Sequence, residues 1–135
     1  MKLLIIGLDG TSYRAVIRNL NKLPTFKRLI NYSNYGELVS EKSTRSNIPK
    51  TGPAWASSYT GCSAREHGIT TGGWLLEHKN YSDIRRVTVW ELIEKEYSVG
   101  LFTMPITYPA FKINGWVISG FPAPSSMKDC FYPEV

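Results

Sequence analysis

The sequence predicts an α/β fold, a sandwich of helices on a mainly parallel sheet. Three observations lead there. Continuous apolar runs at Leu3–Ile6, Val99–Phe102 and Trp116–Ile118 read as buried strands. Segments with helical spacing of apolar residues lie between them. Gly and Pro sit at the joints, as at Gly7, Pro24, Gly61 and the Asn114-Gly115 pair.

Taken in order, Leu3–Ile6 is expected to be a central parallel strand ended by Gly7, with Asp9 at its carboxyl end, where open α/β sheets bind ligands. Thr11 or Ser12 can cap the next helix, whose inner face is Tyr13, Val16, Ile17 and Leu20. Pro24 opens a second helix with Phe26, Leu29 and Ile30 inward. Gly36–Ser40 alternates weakly and is read as a strand. Residues 41–50 have no period and form a loop.

The run Ala54–Tyr59 reads as a short helix. Pro53 is placed as its first residue, where a missing N–H is harmless, and Gly61 ends it. Thr51 then sits at or just before the helix N-terminus, among unused N–H groups and the positive end of the dipole. Trp55 and Tyr59 share a face one turn apart. Residues 70–86, with Gly72-Gly73 and no pattern, read as a mobile flap. Thr88-Val89-Trp90-Glu91 is a capping box that starts a helix. Val99–Phe102 is a strand, Met104–Pro109 a loop with two prolines, and Trp116–Ile118 a strand after an Asn114-Gly115 turn. The final Phe131–Val135 reads as the middle of an element.

Composition narrows the class. The chain has 135 residues, 42% of them hydrophobic and 20% charged, enough for one compact domain, 1–135, with a real core. The net charge of +5 favours solubility and weak attraction for anions. Without a Lys/Arg run longer than the Arg85-Arg86 pair, a dedicated nucleic-acid surface is not expected. Cys62 and Cys130 form no CxxC motif and read as reduced thiols. The opening apolar run is too short for a signal segment or a membrane span, so no membrane role is expected and a cytoplasmic location is.

Asp9 and Thr51 are the residues whose chemistry stands out. A carboxylate beside a hydroxyl suits a hard or borderline cation, which lowers the hydroxyl pKa and yields an alkoxide able to attack phosphorus. On spacing alone, Asp9 is equally a turn residue and Thr51 a cap.

The stretches IIGLDG at 5–10, LPTFKRLI at 23–30 and KTGPAWASSYTGCSAREHGI at 50–69, with MPITYP at 104–109 and NGWVISGFPAPS at 114–125, resemble the type I phosphodiesterase/nucleotide pyrophosphatase family of the alkaline phosphatase superfamily. The resemblance implies an alkaline phosphatase-like three-layer αβα sandwich, incomplete at its C-terminus. It also implies that Asp9 binds a divalent metal and that Thr51 is both nucleophile and ligand of that metal. The implied reaction is two-step hydrolysis of a phosphodiester or nucleotide pyrophosphate through a phospho- or nucleotidyl-threonine. A pair of metals is implied, often zinc, with magnesium or manganese as alternatives. Two departures stand out. Ala54 follows the proline where many relatives carry Asn, which leaves nucleotide specificity open. The further Asp and His ligands of the family have no counterparts here: His67 in HGI resembles a structural position, and His78, between Glu77 and Lys79, reads as a surface residue.

The chain therefore reads as the nucleophile-bearing part of a hydrolase, weakly active or inactive alone. The alternatives are a catalytically dead anion-binding or interaction module, and a phosphomutase or sulfatase relative, against which Thr51 argues. Lys50 and Gly52 are candidate phosphate contacts, with Arg45 nearby, and Trp74 a candidate substrate contact. Trp55, Tyr59, Trp90 and Trp116 read as core. A sheet cut short would offer its edge to a second copy.

Overall fold

The computed structural model describes residues 2–40, 42, 48–71 and 79–134. Arg45, Gly72-Gly73, Trp74 and His78 lie outside the described residues. The chain forms two compact units, Met1–Val39 and Ser40–Val135, and each is described by itself.

In the first unit the helices follow their sequence signals. Helix α1, Tyr13–Arg18, is capped by Ser12, whose hydroxyl accepts from the Ala15 N–H at 3.1 Å. Helix α2, Pro24–Tyr32, has its proline in the first turn, as expected. Of the three residues assigned to its inner face, Phe26 and Ile30 are half-buried but Leu29 is exposed. The strands of this unit do not form. Leu3–Ile6 joins no ladder among the described residues and is 64–80% exposed. Gly36–Ser40 is likewise not a strand, with Leu38 and Val39 exposed. An apolar run becomes a strand only when a neighbour takes up its N–H and C=O groups, and the paired registers go elsewhere.

The second unit contains the core. Helix α3, Thr51–Thr60, ends at Gly61 in the left-handed conformation, φ 67°. A short helix α4, Ala64–His67, carries a capping box between Ser63 and Glu66. Helix α5, Val89–Ile93, starts from the Thr88–Glu91 box read from the sequence. The Glu91 carboxylate accepts from the Thr88 N–H at 2.6 Å and from its hydroxyl at 2.7 Å.

The sheet is small and mixed. Its strands are β1, Val99–Met104, β2, Gly115–Ser119, and β3, Phe131–Tyr132, in the order β1-β2-β3. β1 and β2 are parallel, with Leu101 opposite Val117, and β3 is antiparallel to β2. The α/β class holds, while the full sandwich expected from the resemblance is not present among the described residues. The core gathers Ala56 and Tyr59 of α3, Ile69, Trp90 of α5, Val99 and Leu101 of β1, Ile106, Ile113 and Val117 of β2. Tyr59 and Trp90 are core aromatics as expected, and Trp55 packs against them.

Trp116 is not core: it is 45% exposed. Strand alternation explains this, because Val117 beside it takes the inner face. The Trp116 indole instead lies across Gly100, its register partner on β1, in the space a Cβ there would need. Residues 79–87 are not a loose flap either. A 3-10 turn at Tyr81–Asp83 sets Tyr81 on Phe111, and the Tyr81 N–H donates to the Tyr108 carbonyl at 2.8 Å.

Candidate active site

Thr51 is the first residue of α3, and Lys50 is its N-cap with extended backbone. The first helical hydrogen bond runs from the Ala54 N–H to the Lys50 carbonyl at 3.0 Å. Thr51 and Gly52 therefore have N–H groups without an acceptor inside the helix, and Pro53, the third helical residue, has none to place. This corrects the expected start: the helix begins two residues before Pro53, and the proline is tolerated because it still lies in the unbonded first turn.

Among the described residues no side chain caps α3, and its first turn holds no acid. Thr51 is half-buried, Gly52 and Pro53 are buried, and Lys50 is exposed. The first turn thus unites Lys50, Thr51 and Gly52. It presents a hydroxyl, backbone donors, an exposed lysine and the positive dipole end with no carboxylate of its own.

Asp9 belongs to the other unit. It lies in an exposed turn in which the Thr11 N–H donates to the Leu8 carbonyl at 3.3 Å and Gly10 takes φ 69°.

The remaining candidates fall away from this turn. Cys62 is half-buried just past the far end of α3. His67 is fully buried, and both ring nitrogens are engaged: the Ile69 N–H donates to Nδ1 at 3.1 Å, and Nε2 lies 2.9 Å from the Ser57 hydroxyl. The Ser57–His67 pair was not legible in the sequence. A spacing of 10 residues carries no periodicity, and the turn at Gly68, φ 84°, that brings His67 back to α3 is seen only in the fold.

Among the described residues, no group of three or more His, Cys, Asp and Glu could hold a metal ion. No described helix is long and apolar enough to cross a membrane.

The motif that forms the first turn of α3 lies inside a longer match. The family model for type I phosphodiesterase / nucleotide pyrophosphatase covers residues 3–113. The chain belongs to this family. Asp9, Thr51 and the MPITYP segment all fall within the match, which stops before NGWVISGFPAPS. No curated protein and no solved structure matches the chain. As a type I phosphodiesterase relative, it is by resemblance a phosphoric ester hydrolase, and its family points to a small-molecule substrate.

Proposed function

We propose that the chain is the nucleophile-bearing part of a phosphodiester or nucleotide pyrophosphate hydrolase, with Thr51 as the nucleophile. The observation that carries this reading is the first turn of α3. Thr51 opens that turn beside N–H groups the helix leaves unbonded, and the resemblance implies this threonine as the nucleophile. An anionic phosphate placed there meets oriented donors before any bond changes, which lowers the cost of charge building up on phosphorus-bound oxygen. Lys50, exposed beside it, suits steering of the phosphate into the turn.

The donor set tests the expected metals. Asp9 and Thr51 offer one carboxylate and one hydroxyl, whereas zinc takes about four ligands and its sites favour N and S. The described residues add no cluster that would complete the shell. The described residues therefore do not fit the two-metal centre of the family, and no step is assigned to a metal. Weak metal binding and poor turnover by this chain alone are the expected outcome.

Hydrolysis of a chromogenic phosphodiester, with zinc, manganese and magnesium in turn and with Thr51→Ala as control, tests both parts. Slow turnover lost in Thr51→Ala supports the nucleophile. Robust metal-dependent turnover lost in Thr51→Ala would keep the nucleophile and overturn the poor-turnover part. Turnover that survives the substitution removes Thr51 from the role.

The second reading, a dead anion-binding module, draws on the same uncapped turn. Calorimetry with a nucleotide separates the two, because a dead module binds equally with and without added metal.

A further inference from the structure

His67 sits at the end of α4, and the structure fixes it from three sides. Its backbone carbonyl accepts from the Arg85 N–H at 3.0 Å. Its Nδ1 faces the Ile69 N–H at 3.1 Å, and its Nε2 faces the Ser57 hydroxyl at 2.9 Å. The residue and its neighbour Ile69 are both completely shielded from solvent. Gly68 between them takes φ 84°, and a Cβ there would press at 3.1 Å on the Asp83 carbonyl and the Arg85 side chain.

This geometry dictates the tautomer. A backbone N–H can only donate, so Nδ1 must be the acceptor and carry no proton. The ring proton then belongs to Nε2, which donates to the Ser57 oxygen. The Ser57 hydroxyl proton is left to point elsewhere. His67 is thus a two-ended clasp. One end is anchored in a turn held against residues 83–85, and the other grips the middle of α3.

Ser57 lies about 9 Å along the helix axis from Thr51, at about 1.5 Å per residue. A 10-residue helix moves largely as one body, so a fixed point at Ser57 restrains both its rotation and its slide. Ala56 and Tyr59 hold α3 through apolar contacts in the core, which resist rotation less than a directed bond does, and the Tyr59 hydroxyl reaches the Pro105 carbonyl only at a long 3.4 Å.

We propose that His67 is a positioning residue, which through Ser57 sets the angle and height at which the first turn of α3 presents Thr51. The consequence for catalysis rests on Thr51 being the nucleophile; the clasp itself does not. A buried histidine far from the reacting hydroxyl thereby acquires a role beyond filling space. Its ring supplies an acceptor and a donor on opposite edges of one rigid plane.

The test uses the full chain labelled with nitrogen-15. Long-range imidazole spectra read the tautomer of His67, and amide spectra with hydrogen exchange read the first turn of α3. The expected result is the Nε2–H form in the native chain. In Ser57→Ala, the Thr51 and Gly52 amides should shift in position, and the Ala54 amide, bonded to the Lys50 carbonyl at 3.0 Å, should exchange roughly tenfold faster, because the buried Nε2–H loses its acceptor. Ser57→Thr, which keeps the hydroxyl, should restore both. An Nδ1–H tautomer overturns the proposal. So does a Ser57→Ala spectrum whose changes stop within one turn of residue 57, since that is what a merely local packing role produces. Should Ser57→Ala unfold, His67→Gln is read in its place. Its amide can still donate to Ser57, so α3 should keep its native amide positions while Ile69 alone is disturbed; disturbance at Thr51 in that variant overturns the clasp. These spectra are read whether or not the ester is hydrolysed, so the nucleophile and the clasp can fail separately.

Discussion

Tyr81 and Phe111 lie ring on ring, with centroids 3.7 Å apart and planes 8° from parallel. Trp90 completes the group, 6.4 Å from Phe111, and its Nε1–H donates to the Tyr81 hydroxyl at 3.1 Å. The stack fastens the 3-10 turn at Tyr81–Asp83 to the segment between β1 and β2. A chain reading alone would have left residues 79–83 as loop.

Phe111→Ala removes one face of that stack. Aromatic-to-alanine changes in a full core cost about 3–5 kcal/mol, and Phe111 is only half-buried, so a loss of about 2 kcal/mol is expected. Urea unfolding followed by circular dichroism checks it. A midpoint within error of the native chain would show that the stack holds nothing in place.

The Thr88–Glu91 box gives a second expectation. Thr88 is fully buried, and its N–H and hydroxyl both reach the same Glu91 oxygen. Glu91→Ala leaves both groups without that acceptor at the start of α5, so a loss of about 1–2 kcal/mol follows, by the same urea titration. Glu91→Gln keeps an acceptor oxygen and should recover part of it.

What the sequence disclosed and what it hid divide along physical lines. Local chemistry was legible: the Ser12 cap, Pro24 in the first turn of α2, Gly61 after α3 and the Thr88 box all act within one turn of the chain. The runs at 99–102 and 116–118 also form strands, because each finds the other as a parallel neighbour. Leu3–Ile6 is at least as apolar and forms none, since strand formation depends on partners that composition does not record. Trp116 misled for a related reason. Its apolar neighbours hid the alternation that turns it outward over Gly100. At the start of α3, the place of Thr51 was legible from the proline two residues on, and the Ser57–His67 bond was not, being a contact between two helices.

Acid should expose the Ser63–Glu66 box. The Glu66 carboxylate accepts from the Ser63 hydroxyl at 2.7 Å and from its N–H at 2.9 Å, and these bonds hold its pKa below the ordinary value of 4.5. A depressed folded pKa means that the unfolded chain takes up the proton first. The contribution is therefore present above about pH 4.5 and is lost as the pH falls through the folded value. Hydrogen exchange at the Ser63 and Ala64 amides, followed down from about pH 6 to about pH 3, should show protection falling in the native chain. In Glu66→Gln protection should start lower and stay level. A native profile as flat as that of the variant would remove the carboxylate from the cap.

Alkali should act through Tyr59. Its hydroxyl donates to the Pro105 carbonyl at a long 3.4 Å, so the bond itself contributes little, and burial is what matters. Burial first, and the neighbouring Tyr81 second, push its phenol well above the ordinary 10.0. Tyr81 is raised too, with burial as the leading cause. A raised folded pKa has the opposite sign to Glu66. The contribution is complete below about pH 10 and is lost as the pH climbs from there towards the folded value, because the unfolded chain ionises first. Urea midpoints at about pH 8 and about pH 11 should therefore drop steeply in the native chain and less in Tyr59→Phe. At about pH 8 the substitution should cost no more than about 1 kcal/mol, as the ring stays against Trp90 at 4.7 Å and only the long hydrogen bond goes. Tyr59→Phe and Tyr81→Phe together should flatten the alkaline loss further. An equal drop in all the chains would mean that neither phenol is kept protonated by the fold.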